Sequence, residues 1–184
     1  MMVSEDIRTS LKMAAQAWSP ASPAQTGVYA VYLNDGASLP ELDVPPDGLL
    51  YVGMTKKGFA ARDHFYPQNG SSGSTLRRSL GALLKDYLNL TALPRDKSGR
   101  WQSHYNYRFQ VEDEAALSEW MFHSLTLARI PFEGDIASAE SKLIALLNPP
   151  LNLTGWSNKQ RAMLLDYRRV CAMEAKQALG ASAA

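Results

Sequence analysis

Two short apolar segments with strand character constrain the fold most. Thr26–Leu33 and Leu49–Gly53 are rich in β-branched and aromatic residues. The first is apolar on both faces, which is typical of a central strand. The segment between them is rich in proline and long for a tight hairpin turn, so it is predicted to be a surface loop. We predict that the two strands are antiparallel neighbours, with Tyr29 and Tyr51 close together across the pair.

Most of the remaining chain has helical periodicity. Ser103–Val111 alternates apolar and polar residues and is predicted to be a third strand. The predicted helices cover about residues 5–18, part of 56–66, about 74–90, 113–129, 136–147 and about 157–179. Three strands among these helices predict an α/β chain of the α+β type.

Length and composition predict one globular domain over residues 1–184, since 46% of the residues are hydrophobic and 20% are charged. Nineteen basic and 18 acidic residues leave a net charge of +1, so the chain has no strongly basic coat and any recognition of phosphates depends on local clusters of cations. The single cysteine, Cys171, favours a reducing, cytoplasmic location without disulfides or structural zinc. No secretory leader and no membrane span are predicted.

Glu140 is the most unusual carboxylate of the sequence. It falls on the apolar face of a predicted helix, one turn after Ile136 and one turn before Ile144. Burying an ionised carboxylate costs free energy unless a cation or several hydrogen-bond donors accompany it. From the residues alone, a structural salt bridge with an arginine and a metal site are both open explanations.

Several short motifs stand in a characteristic order along the chain. They are Gly27-Val28-Tyr29, Tyr51-Val52-Gly53 followed by Thr55, then Arg62, Glu140 and Asn152. In this order, and over about residues 26–152, the chain resembles the GIY-YIG nuclease family. The resemblance implies a small three-stranded antiparallel sheet flanked by helices. The helices predicted at about 5–18 and 157–179 would be additions to that core.

The resemblance also implies an activity, the hydrolysis of a DNA phosphodiester with one divalent cation. Carried over to this sequence, Glu140 would bind Mg²⁺ or Mn²⁺, and Arg62 would hold the scissile phosphate. Tyr29 would accept the proton of the attacking water, and Tyr51 would orient that water or the phosphate. A free phenol has a pKa of about 10, so Tyr29 needs nearby cations to act as a base. Asn152 would support the site through hydrogen bonds, although asparagine also suits a turn there.

The chain departs from the family pattern after Arg62. Many members place a histidine or tyrosine one helical turn after this arginine. Here His64 follows Arg62 by two residues and Tyr66 follows it by four. Because residues two apart do not share a helix face, His64 requires a broken helix. His64 is the first candidate for this position and Tyr66 is its rival.

Further cations are candidate contacts to the DNA backbone. Some family members carry a lysine directly after the second motif, and Lys56 or Lys57 is expected to supply that charge here. Arg77 and Arg78 stand in the first turns of a predicted helix, where free backbone donors also favour anions. Such contacts position a duplex without reading its sequence.

Two other functions are compatible with the same residues. One is a nucleic-acid-binding module that keeps the fold but does not cleave, which the near-neutral charge favours. The other is a protein-interaction domain in which the tyrosines pack and Glu140 is paired.

Overall fold

The computed structural model describes residues 4–21, 24–66, 68, 70–96 and 105–181. In chain order the elements are α1 (Ser4–Met13), β1 (Gly27–Leu33), β2 (Leu49–Thr55), a 3-10 helix (Ala60–Arg62), α2 (Thr75–Leu83), α3 (Lys85–Leu88), β3 (Ala92–Pro94), β4 (Tyr107–Phe109), α4 (Val111–Ser124), β5 (Leu125–Pro131), α5 (Ile136–Leu147) and α6 (Arg161–Ala181). None of the described helices combines the length and apolarity needed to cross a bilayer.

The chain divides into two compact units. The first consists of Met1–Ser38, Leu42–Asp63 and Phe122–Lys159. The second consists of Leu39–Glu41, His64–Met121 and Gln160–Ala184. The organisation of these units as a single domain stays a prediction.

The first unit contains a three-stranded antiparallel sheet, with the strands in the order β2-β1-β5. All seven residues of β1 are buried, as expected of a central strand. The predicted antiparallel pairing of the first two strands is confirmed, with Tyr29 opposite Gly53. On its other edge β1 pairs with β5, which places Arg129 opposite Tyr29. The predicted α+β class with a three-stranded antiparallel sheet is therefore confirmed.

The identity of the third strand was predicted wrongly. The segment predicted as Ser103–Val111 contributes only Tyr107–Phe109 among the described residues, and this strand pairs with Ala92–Pro94 in a separate sheet. Residues 103 and 104 lie outside the described residues. The third strand is Leu125–Pro131, most of which was predicted as the end of a helix. Pairing with the open edge of β1 overrides the local helical pattern there, since backbone hydrogen bonds and burial decide the state of such segments.

Helices α1 and α5 supply the apolar side chains that cover one face of the sheet. The core cluster consists of Leu11, Ala30, Tyr32, Leu49, Val52, Ala128, Ile144 and Leu147. Helix α5 has the predicted bounds, and the Asp135 side chain caps its start by accepting a hydrogen bond from Ser138 N at 3.1 Å. Helix α1 is shorter than predicted because Gln16 instead exchanges backbone hydrogen bonds with Leu127 of β5.

The second unit contains the two-stranded β3–β4 sheet, with α6 packed against β3 and α2. Ser74 caps α2 as its oxygen accepts from Arg77 N at 3.0 Å. The helix predicted to run to Leu90 is divided into α2 and α3, and α6 begins later than predicted, at Arg161. Cys171 is a buried free thiol.

Candidate functional site

Tyr29 and Tyr51 lie on the same face of the sheet, next to each other. The ladder places Tyr29 opposite Gly53 and Val31 opposite Tyr51, and residues opposite one another share a face. The two ring centroids are 6.2 Å apart, with 33° between the ring planes. Tyr29 is buried and Tyr51 is partly buried. The predicted proximity of the two phenols is confirmed.

The glycines of both motifs have a packing role that was not predicted from the sequence. A Cβ atom on Gly53 would lie 2.5 Å from Cζ of Tyr29 and 2.9 Å from Cε1 of Tyr51, so both rings depend on its absence. Gly27 has a φ of 154°, and a Cβ there would overlap Ile130 O and Phe132 N. The two glycines therefore allow β1 to approach both of its neighbours at the site.

Arg62 ends a 3-10 helix of three residues and is exposed. The helix ends there because Asp63 is extended, with φ −75° and ψ 111°. The positive charge of Arg62 and its hydrogen bonding with the phenol both lower the pKa of Tyr29. Arg62 therefore acts electrostatically on the group predicted to accept the proton.

Glu140 lies on α5 and is partly buried. Burial raises the pKa of Glu140, while the charge of Arg62 and a hydrogen bond from the Met54 backbone oppose that rise. Among the described residues no direct ion pair joins Glu140 to Arg62. The charge of Arg62 therefore acts on the Glu140 carboxylate from a distance, and the two residues do not form a salt bridge.

The pKa of Tyr29 depends on the charges of both Arg62 and Glu140. Burial is the main cause that raises the pKa of Tyr29 well above its ordinary value, and Tyr51 and Glu140 raise it further. The charge and hydrogen bond of Arg62 act in the opposite direction. Tyr29 is consequently a neutral phenol near neutral pH, and additional positive charge is needed before it can lose its proton. The charges of Arg62 and Glu140 thus both act on the phenol whose ring lies beside Tyr51.

Glu140 could contribute one carboxylate ligand to a hard divalent cation. Across the described residues no group of three or more His, Cys, Asp or Glu side chains is arranged for a metal. A full protein cage of the kind that holds Zn²⁺ or Ca²⁺ is thus not found there. Mg²⁺ and Mn²⁺ need less from the protein, because one carboxylate with waters and a substrate phosphate suffices. Glu140 is half-buried, and among the described residues it forms no ion pair with Arg62, so its carboxylate is the candidate ligand.

Asn152 is bonded to the strand that carries Tyr51. Its Oδ1 accepts from Val52 N at 2.9 Å, and its Nδ2 donates to Val52 O at 2.9 Å. The side chain is buried and replaces a neighbouring strand at this point of β2. Asn152 therefore fixes the backbone of β2 between Tyr51 and Gly53.

Lys56 and Lys57 are exposed and directly follow β2. The turn that presents them is fixed by Thr55, whose Oγ1 donates to Gly58 O at 2.9 Å and accepts from Lys57 N at 3.2 Å. Both lysines are accessible to a phosphate backbone, as the predicted role requires.

His64 and Tyr66 belong to the second unit. His64 is buried, with Nδ1 2.7 Å from Ser74 Oγ, and Tyr66 is partly buried. Because the 3-10 helix ends at Arg62, the chain after it is not helical and the spacing argument against His64 does not apply. Which of the two fills the family position stays a prediction.

Arg77 and Arg78 differ from the expectation that they contact DNA. The Arg77 side chain is fully buried, and its Nη2 lies 2.8 Å from Glu114 Oε2 in an ion pair. Arg78 is also buried and donates to Ser71 O at 2.6 Å. A duplex has no access to these guanidinium groups while this packing persists, so neither residue enters the proposed interface.

Comparison with known proteins yields one family. The model described as the GIY-YIG catalytic domain matches residues 27–170, which is most of the chain. No curated protein and no solved structure gives a significant match.

Proposed function

Since this chain belongs to the GIY-YIG catalytic-domain family of nucleases, we propose that it is a metal-dependent endonuclease that hydrolyses phosphodiester bonds in DNA. One observation carries the proposal. The rings of Tyr29 and Tyr51 lie side by side on one face of the sheet, with centroids 6.2 Å apart, and there the charge of Arg62 lowers the pKa of Tyr29 while that of Glu140 raises it. A proton-transfer group, a phosphate-binding cation and a metal-binding carboxylate are the parts that this hydrolysis needs.

In the proposed reaction Arg62 binds the scissile phosphate. Its planar guanidinium suits two oxygens of one phosphate, and it keeps its charge as negative charge develops during attack. Its exposure on a short helix leaves it accessible to a large substrate. Lys56 and Lys57 contact phosphates farther along the same backbone.

Tyr29 accepts the proton of the attacking water, and Tyr51 orients that water. When bound at Glu140, Mg²⁺ or Mn²⁺ supplies positive charge that stabilises the phosphate and favours the ionised forms of nearby acids. Arg62 supports the same ionisation through its hydrogen bond to Tyr29. Asn152 holds β2 so that Tyr51 keeps its position beside Tyr29.

His64 is proposed for the position after Arg62, with Tyr66 as its rival. Parallel cleavage assays of His64→Ala and Tyr66→Phe separate them, since the residue that contributes to the reaction gives the larger loss in kcat at unchanged folded fraction.

The proposal is tested with purified protein on supercoiled plasmid and branched DNA, in Mg²⁺ or Mn²⁺ and again in excess chelator. Cleavage is expected with either metal and not with chelator. Arg62→Ala is expected to lower kcat at least about a hundredfold, whereas the matched surface control Arg95→Ala is not. Cleavage that persists in chelator, or that survives Arg62→Ala, contradicts the proposed mechanism.

The second candidate is a nucleic-acid-binding module that does not cleave. The observation that favours it is the burial of Tyr29, because burial raises the pKa of the phenol and a neutral phenol is a poor base. It predicts salt-dependent DNA binding with no cleavage in either metal, and the same experiment therefore distinguishes the two candidates.

A further inference from the structure

The short helix that ends at Arg62 offers little to hold this residue in place. The 3-10 helix contains three residues and has no side-chain cap hydrogen bond at its start. Long arginine side chains lose considerable conformational entropy when they are held in one position. Contacts of the residues next to this helix are therefore the means by which the chain can restrict the position of Arg62.

Asp63 provides such contacts directly after Arg62. Its side chain is 2% exposed, which is unusual for an aspartate. Oδ2 accepts a hydrogen bond from Trp18 Nε1 at 2.7 Å and lies 3.8 Å from Nη2 of Arg129. One carboxylate thus joins the end of the 3-10 helix to two separate parts of the first unit.

Both anchors are themselves fixed. The Trp18 ring packs edge-on against Phe122, with centroids 5.0 Å apart. Arg129 lies on β5 and its Cα is paired with that of Tyr29 across the ladder. Burial lowers the pKa of Arg129 and Asp63 opposes that change, so the two charges compensate one another. The carboxylate after Arg62 is consequently tied to the strand residue beside Tyr29.

We propose that Asp63 is a positioning residue that holds Arg62 against the Tyr29 phenol, with Trp18 and Arg129 as its two anchors. The catalytic consequence rests on the proposed function, because Arg62 is taken to bind the scissile phosphate. Asp63 itself touches neither substrate nor reacting atoms in this assignment. Its effect on the reaction passes entirely through Arg62.

A double-mutant cycle separates positioning from a purely structural role. Asp63→Asn keeps an oxygen acceptor for Trp18 but loses the charge that faces Arg129. Trp18→Phe keeps an aromatic ring at this position but removes the indole N–H that donates to Asp63. Each is expected to lower kcat by between about tenfold and a hundredfold, with a smaller change in KM. In an Arg62→Ala background neither substitution is expected to lower kcat further.

The matched control is Asp35→Asn, an exposed aspartate of the same unit that is expected to leave kcat unchanged. Equal losses for Asp63→Asn in the wild-type and Arg62→Ala backgrounds would overturn the proposal, since a structural role acts in both. Unchanged kcat for both Asp63→Asn and Trp18→Phe would overturn it as well.

A second readout does not depend on cleavage. The ¹⁵N heteronuclear NOE of the Arg62 Nε–Hε group reports the order of its side chain, and it is expected to fall in Asp63→Asn and in Trp18→Phe but not in Asp35→Asn. An NOE that stays at the wild-type value in both variants would overturn the positioning role. If the wild-type protein does not cleave DNA but the NOE falls as expected, the proposed function fails and the positioning of Arg62 stands.

Discussion

The phenol of Tyr29 lies directly over Gly53, its partner across the β1–β2 ladder. A Cβ atom on Gly53 would come within 2.5 Å of Tyr29 Cζ, which is far inside van der Waals contact. The first motif therefore supplies the phenol, and the second motif supplies the space that the phenol occupies. Separate stretches of sequence are joined into one site by this contact.

Substitution of Gly53 by alanine is expected to displace Tyr29 and Tyr51. Overpacking of this kind costs about 1–3 kcal/mol of stability, and misplacement of a reacting group lowers kcat by about tenfold or more. Gly73→Ala is the matched control, because a Cβ on Gly73 meets nothing within 4 Å. Cleavage assays and urea unfolding of both variants make the comparison. Equal behaviour of the two variants would contradict the contact.

Glu140→Gln is expected to stabilise the protein at neutral pH while removing activity. Burial raises the pKa of Glu140, so its ionised form is less favourable in the folded state than in the unfolded state. This group contributes stability below the pKa of an unfolded glutamate, and that contribution is lost as the pH rises through the higher folded pKa. Removing the charge should therefore raise Tm by about 2 °C at pH 7.

The thermal experiment has an internal check. The difference in Tm between Glu140→Gln and wild type should shrink as the pH is lowered below the pKa of Glu140 in the folded protein. Mg²⁺ should raise the Tm of the wild type and leave that of Glu140→Gln unchanged, because in the proposed function the cation binds the folded state through this carboxylate. A variant that is less stable than wild type at pH 7 would show that Glu140 is a stabilising ion-pair partner.

The rate of cleavage is expected to rise with pH through neutrality without reaching a plateau. Burial raises the pKa of Tyr29 well above its ordinary value, so the phenolate fraction grows with every increment of pH in this range. The slope of log kcat against pH should approach one between about pH 6 and pH 9. Tyr29→Phe should abolish this dependence together with most of the activity. A flat profile for the wild type would exclude Tyr29 as the base.

Asn152→Ala is expected to destabilise the protein by about 1–3 kcal/mol, because it leaves the N–H and C=O of Val52 without their side-chain partners. Asn34 offers a matched control, since its Nδ2 donates to His123 O in an exposed bond. Asn34→Ala should change stability by less than about 0.5 kcal/mol. Urea unfolding of both variants measures the difference, and similar values for the two would show that Asn152 does not hold β2.

The sequence predicted the parts of the fold and site that are carried by local patterns. The strands of Tyr29 and Tyr51 are runs of β-branched and aromatic residues, and the helix of Glu140 has helical periodicity and clear ends, so the positions of all three followed from the residues. The third strand was missed because Leu125–Pro131 has no strand pattern of its own and becomes a strand by pairing with β1.

Long-range packing also decided which cations are accessible. Arg77 stands in the first turn of a helix, a position that predicts an anion site. The Glu114 carboxylate that pairs with its guanidinium is distant in sequence, so the local pattern does not show this pairing. Asp63 was overlooked for a similar reason. Arg62 could be singled out from its place in the motif order, whereas Asp63 becomes notable only through its contacts with Trp18 and Arg129, which form in the folded chain.

The central claim is that Glu140 holds the divalent cation on which phosphodiester hydrolysis depends. Its most direct test is the cleavage of supercoiled plasmid in Mg²⁺ by wild type, Glu140→Gln and the exposed control Glu133→Gln. The account predicts full activity for wild type and Glu133→Gln, and a loss of at least about a thousandfold for Glu140→Gln. Cleavage by Glu140→Gln at the rate of the control would contradict it.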